Sequence, residues 1–155
     1  LRGSSLDLVN VFSVEPKFDS DSFKTGKSAD GAWLAKVPSE VGYDLATLRE
    51  GKEKYDIHCS VCHGDYGNGA GVTAKFGLNP RNLSDPSNSG TYLESAAPWT
   101  DGQLYNAISN GSASGIMLGL KDRLSPKERW SIVLYLRALQ DYVGSATQPK
   151  KGQGS

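Results

Sequence analysis

Cysteine, histidine and methionine are scarce in this chain of 155 residues, which has two cysteines, two histidines and one methionine. Two cysteines can close at most one bridge, so a disulfide-built scaffold is excluded. Neither sign of charge predominates, with 17 Lys plus Arg against 17 Asp plus Glu. That balance excludes the basic footprint of nucleic-acid binding, and no basic run reads as a patch for a membrane surface. It also argues against long-range steering by a strongly charged partner. No apolar run approaches the ~20 residues of a membrane span, and no signal-peptide pattern opens the chain. The length fits one domain. Its apolar fraction of 37% is low for a domain that fills its core with side chains alone.

What is scarce is also concentrated. Both cysteines and both histidines fall in His58-Cys59-Ser60-Val61-Cys62-His63-Gly64. A zinc site needs four ligands around a tetrahedron, usually from two separated pairs, and no second pair exists. A thioredoxin-like redox pair belongs beside a strand–helix–strand pattern, which is missing here. A Cys59–Cys62 disulfide leaves the adjacent His63 without a role. Cys-x-x-Cys-His is instead the signature of covalent haem attachment. Two thiols three positions apart on one helical turn can each add to a vinyl group of the same porphyrin. The next imidazole then sits under the iron as proximal ligand. A haem also supplies a large apolar plate, which makes up part of the apolar shortfall.

The rest of the chain reads as helices joined by irregular segments. Residues 1 to 43 lack helical periodicity and carry scattered apolar residues, from Leu8–Val14 through Phe18, Phe23, Trp33 and Leu34. They read as an extended arm laid over the domain, with a docking strap for a larger complex as the sharper alternative. A helix is predicted from an Asp44 cap, with Leu48, Gly51 and Tyr55 on one face. Glycine on an apolar stripe makes sense where another backbone crosses closely. Gly64 to Gly71 is a glycine-dense loop, without the spacing of a phosphate-binding motif. Residues 84 to 99 read as loop; Tyr92 and Trp99 there suit either a cofactor edge or ordinary core filling. Thr100 and Gln103 form a capping box for a helix of about ten residues ending at Asn110-Gly111. Ser125-Pro126-Lys127-Glu128 opens the last helix, whose apolar face runs through Trp130, Ile132, Tyr135, Leu136, Leu139 and Val143, with Gly144 as its stop. Residues 145 to 155 read as a disordered tail.

From about residue 44 to 144 the chain resembles the class I c-type cytochromes. The resemblance rests on Cys59, Cys62 and His63, on the Gly51/Tyr55 pattern with Tyr135 as its crossing partner, on the segment Gly77-Leu78-Asn79-Pro80-Arg81-Asn82-Leu83, and on Met117 in the small-residue loop Ser112 to Gly119. It implies an all-α fold packed around one covalent haem c with its iron, with an irregular N-terminal extension. It implies that Met117 is the distal ligand opposite His63, although many relatives have proline where this chain has Leu118. It implies that the Pro80 carbonyl accepts from the second nitrogen of His63 and so orients the ring. Arg81 suits a haem propionate as partner, or equally a solvated surface. The implied function is single-electron transfer by a non-enzyme carrier that docks redox partners by apolar contact around the cofactor edge. A haem enzyme or gas sensor is the rival reading. Haem is attached to c-type cytochromes outside the cytoplasm, so the expected location is the periplasm or the outer face of the membrane. A targeting segment, lipid anchor or membrane helix upstream of Leu1 is then expected to have been lost. The Gly-rich motif region, the Met117 loop and the last helix are also similar to the monohaem subunit of alternative complex III and to cytochrome domains of haem-copper oxidases. A respiratory-complex subunit or domain is therefore favoured over a free periplasmic shuttle.

Overall fold

The computed structural model describes residues 20–87 and 95–147. The apolar run Leu8–Val14, Phe18, Tyr92 and the chain beyond Thr147 lie outside the described residues. The fold is all-α, with no strand among the described residues and only two isolated bridges, Lys27–Trp33 and Gly111–Leu118. Among the described residues five helices follow in order: α1 (Asp21–Thr25), α2 (Leu45–His58), α3 (Ser60–His63), α4 (Asp101–Asn110) and α5 (Pro126–Thr147). Single 3-10 turns cover Ser39–Val41 and Val72–Phe76. No helix among the described residues is long and apolar enough to cross a membrane.

Local chemistry sets the helix starts. The Asp44 carboxylate accepts from Thr47 N at 2.7 Å and opens α2. Thr100 and Gln103 cap α4 reciprocally, at 3.3 and 2.8 Å. Ser125 and Glu128 do the same for α5, at 3.2 and 2.8 Å. Each pair satisfies backbone N–H groups that a helix start leaves without partners. Two local expectations differ from the fold. Helix α5 runs through Gly144 to Thr147 instead of stopping there. A Cβ at Gly144 would meet nothing within 4 Å, so glycine serves there as a tolerated helix residue. Helix α1 lies inside the arm read as irregular: five residues are too few to show periodicity, and the Ser20 hydroxyl caps them by accepting from Phe23 N.

Two helices cross at the centre. A Cβ on Gly51 of α2 would lie 2.0 Å from the Ser131 carbonyl oxygen of α5, so only glycine permits this approach. One turn on, the Tyr55 and Tyr135 rings meet at 5.3 Å between centroids, tilted by 56°. The core continues through Trp130, Ile132 and Val133, all fully buried, to Tyr105 of α4, stacked on Trp130 at 4.1 Å.

Residues 20–43 form a strap stitched to α4 and α5 largely by backbone groups. Trp130 Nε1 donates to Phe23 O at 2.7 Å, and the Tyr105 hydroxyl donates to Lys24 O at 3.2 Å. Gly102 N donates to Leu34 O at 2.8 Å, and Val37 N donates to the buried Asp101 carboxylate at 2.7 Å. Arg137 completes this knot. Its Nε meets Asp101 at 2.6 Å, and its terminal nitrogens donate to the carbonyls of Ala97 and Trp99.

Candidate functional site

Helix α2 ends at His58, and Cys59 bridges it to the single turn of α3. Cys59 N still donates to Tyr55 O at 2.8 Å, and His63 N donates to Cys59 O at 2.9 Å. The two thiols and the imidazole are therefore fixed on consecutive turns that grow out of the α2–α5 crossing. Cys59 is buried and Cys62 half-buried, and both are free thiols. Burial pushes the Cys59 thiol up to about 12, with the neighbouring Cys62 and Asp56 adding to it, so it is protonated at neutral pH.

His63 is buried, and its Nδ1 lies 3.1 Å from the Arg81 carbonyl oxygen. A carbonyl only accepts, so Nδ1 carries the hydrogen and Nε2 keeps its lone pair. Burial holds the imidazole pKa below its ordinary value, with the Arg81 carbonyl opposing, and the ring is neutral at neutral pH. A neutral imidazole with one nitrogen anchored and the other free is the form that ligates a metal.

The expectation for Pro80 is corrected here. The orienting carbonyl belongs to Arg81, one residue on, while that of Pro80 points at the backbone of Gly69, where a Cβ would lie 2.8 Å away. The register is set from outside the segment. Leu83 N donates to Gly67 O at 2.6 Å, and the buried Asn82 side chain accepts from Ser84 N and Asp85 N. The Arg81 guanidinium stands over the Trp99 ring at 5.2 Å, and Trp99 packs against the core.

The glycine-dense loop folds back onto the motif. Gly69 N donates to His63 O and Gly71 N to Cys62 O, and the Tyr55 hydroxyl donates to Gly64 O at 2.7 Å. A Cβ at Gly71 would lie 2.4 Å from Val61 O, so this approach requires glycine. Met117 stands on a separate loop that closes on itself. Ser112 N donates to Met117 O at 2.9 Å, Met117 N donates to the Ser112 hydroxyl at 3.1 Å, and Gly111 pairs with Leu118. These bonds stiffen the loop where a proline would otherwise do so. Met117 is half-buried, flanked by the exposed Ile116 and Leu118.

The donor set fits a covalent haem. Two free thiols and a neutral, oriented imidazole share one short stretch. Large apolar side chains stay exposed on the segments around it: Val61, Val72, Phe76, Leu78, Ile116 and Leu118. An apolar plate covers such surface, which a soluble domain does not otherwise leave in quantity. Among the described residues, no group of three or more His, Cys, Asp or Glu is placed to hold a metal ion by itself.

Fold and site together define a helical protein that carries haem on a Cys-x-x-Cys-His turn. A family profile for cytochrome c matches residues 48–140, and the chain belongs to that family. Cytochrome c proteins bind haem c covalently through such cysteines and transfer electrons with its iron. Comparison with curated proteins gives no match. Among solved structures, the chain is similar to the Kuenenia stuttgartiensis reducing HAO-like protein complex Kustc0457/Kustc0458, at 25% identity and a TM-score of 0.48. The similarity covers 64% of this chain and 48% of that one, so the chain spans about half its length.

Proposed function

We propose that this chain is a monohaem electron carrier with His63 and Met117 as axial ligands, working as a subunit or domain of a respiratory complex outside the cytoplasm. When bound, the haem supplies a one-electron ferric/ferrous couple. Cys59 and Cys62 tether it through thioethers. The free Nε2 of His63, its ring held in orientation by the Arg81 carbonyl, would ligate the iron. Met117 would supply the second ligand, which would leave no position for a substrate and favours a carrier over an enzyme or sensor. The Arg81 side chain, beside Trp99, is the proposed partner of a propionate, and Pro80 acts by stiffening the backbone that presents the Arg81 carbonyl. The uncharged surface of Val61, Ile116 and Leu118 suits apolar contact with a redox partner. The zero formal charge and the strap of residues 20–43 support a complex subunit over a diffusing shuttle.

The observation that carries the reading is the buried His63 ring with Nδ1 anchored, beside two free thiols. The test is intact mass and spectroscopy of protein matured with its attachment machinery, alongside Met117→Leu. One covalent haem is expected, with cyanide and carbon monoxide excluded at neutral pH. Met117→Leu is expected to lower the midpoint potential and to admit both ligands. An unchanged spectrum and midpoint in that variant refute Met117 ligation, and a bare polypeptide refutes the whole reading.

A further inference from the structure

Among the described residues, two charged side chains are buried, Asp101 and Arg129. Asp101 meets Arg137 in an ion pair. Arg129 meets no carboxylate. Its guanidinium donates to the Ser109 hydroxyl and lies over the Tyr105 ring at 4.8 Å, while its Nε has no hydrogen-bond partner. A buried cation without a counter-charge is costly, and a neutral side chain of similar size is often at least as stable there. Stability alone therefore does not account for arginine at this position.

Its surroundings suggest what does. Ser109 lies in the last turn of α4, against the returning limb of the Met117 loop. Leu120 N donates to Ile108 O at 2.9 Å, and Lys121 N donates to Ser109 O at 3.2 Å. A Cβ at Gly119 would lie 2.5 Å from Ser109 O, so the two backbones touch. The charge, which meets no carboxylate, is thus held through Ser109 against the turn of α4 that backs the returning limb of the Met117 loop.

We infer that Arg129 is a positioning residue that biases the haem toward its reduced state, its positive charge held behind the Met117 loop by Ser109. The inference rests on the haem lying between His63 and Met117, as proposed above. Reduction brings one electron to the iron from a one-electron donor protein and lowers the charge of the site by one. A fixed buried cation favours the form with less positive charge. Haem-protein potentials respond to such electrostatic surroundings as well as to the axial ligands.

Potentiometric titration of the holoprotein tests this, with Arg129→Gln, Arg129→Lys and Ser109→Asp beside the unmodified chain. Arg129→Gln is expected to shift the reduced-to-oxidised ratio at fixed ambient potential about fivefold toward oxidised, a midpoint lower by about 40 mV at about 59 mV per tenfold. Arg129→Lys keeps the charge and is expected to stay within about twofold of the unmodified chain. Ser109→Asp sets a carboxylate against the guanidinium and is expected to shift the ratio as Arg129→Gln does, with Arg129 intact. Axial-ligand spectra are expected to match throughout. Should Arg129→Gln fail to fold, Ser109→Asp decides the matter. A ratio unchanged in either neutralising variant overturns the inference, as does a shift in Arg129→Lys as large as in Arg129→Gln, which would assign the effect to packing. Failure of the underlying reading shows separately, as missing haem in the unmodified chain or an unaltered Met117→Leu spectrum.

Discussion

Gly51→Ala and Gly144→Ala make the same change inside two α-helices and are expected to move stability in opposite directions. Each gains about 1 kcal/mol of helix propensity. At Gly144 the new methyl meets nothing within 4 Å, so that gain is expected almost undiminished, at roughly 0.5–1 kcal/mol. At Gly51 it would lie 2.0 Å from Ser131 O and 2.6 Å from Ser131 C. Both are backbone atoms and cannot rotate away. Helices α2 and α5 must part by at least 1 Å to restore a 3.0 Å contact. That movement loosens the Tyr55–Tyr135 pair and the 2.8 Å bond from the Ser131 hydroxyl to Glu50. Overpacking costs about 1–3 kcal/mol and a weakened hydrogen bond about 1 more, which the helix-propensity gain offsets in part, so the net expectation is a loss of roughly 1–3 kcal/mol. Urea unfolding of the holoproteins, followed by far-ultraviolet circular dichroism and haem absorbance, measures both variants. Gly51→Ala unfolding at or above the unmodified midpoint, with an unchanged urea slope, refutes the argument.

Three further expectations use the same assay. Tyr55→Phe removes the donor to the buried Gly64 carbonyl and is expected to cost about 1–2 kcal/mol; a neutral result would mean that the 2.7 Å bond contributes nothing. Asp101→Ala strips both Val37 N and Arg137 of their partner. The loss is expected at roughly 2–3 kcal/mol, below the full figure for a broken buried pair, because Arg137 is partly exposed and keeps two carbonyls. Glu128 is held below the usual carboxylate range first by the Ser125 backbone and also by Lys54. A depressed folded pKa contributes stability above the unfolded value of about 4.3, lost as pH falls through the lower folded value. Glu128→Gln should therefore flatten the acid limb of the stability profile, and an unaltered limb counts against this role.

The chemistry of the site was legible because the sequence names it. Cys59, Cys62 and His63 act as neighbours on consecutive helical turns, and their spacing is local. The Gly51 crossing was legible for a related reason, since a glycine on an apolar stripe asks what lies against it. The orienting carbonyl was not. Every residue carries a carbonyl, and the register that brings forward that of Arg81 is set by the distant Gly67–Leu83 bond, so the visible proline drew attention one residue too early. The roles of Arg129 and Arg137 were equally hidden, because only the tertiary fold brings Ser109, Asp101 and the Ala97 and Trp99 carbonyls to them. Residues 1 to 43 were read as an arm laid over the domain, but the contacts that hold residues 20–43 there were not legible, because backbone groups make them and backbone groups leave no periodic signature.

That strap separates two boundaries that are easily taken as one. The family profile begins at residue 48, yet the indole of Trp130, the phenol of Tyr105 and the carboxylate of Asp101 find partners at Phe23, Lys24 and Val37. A fragment cut where the family profile begins would keep Cys59, Cys62, His63 and Met117 and still bare the aromatic heart of the molecule. The stretch that the profile matches is thus shorter than the stretch whose contacts complete the core.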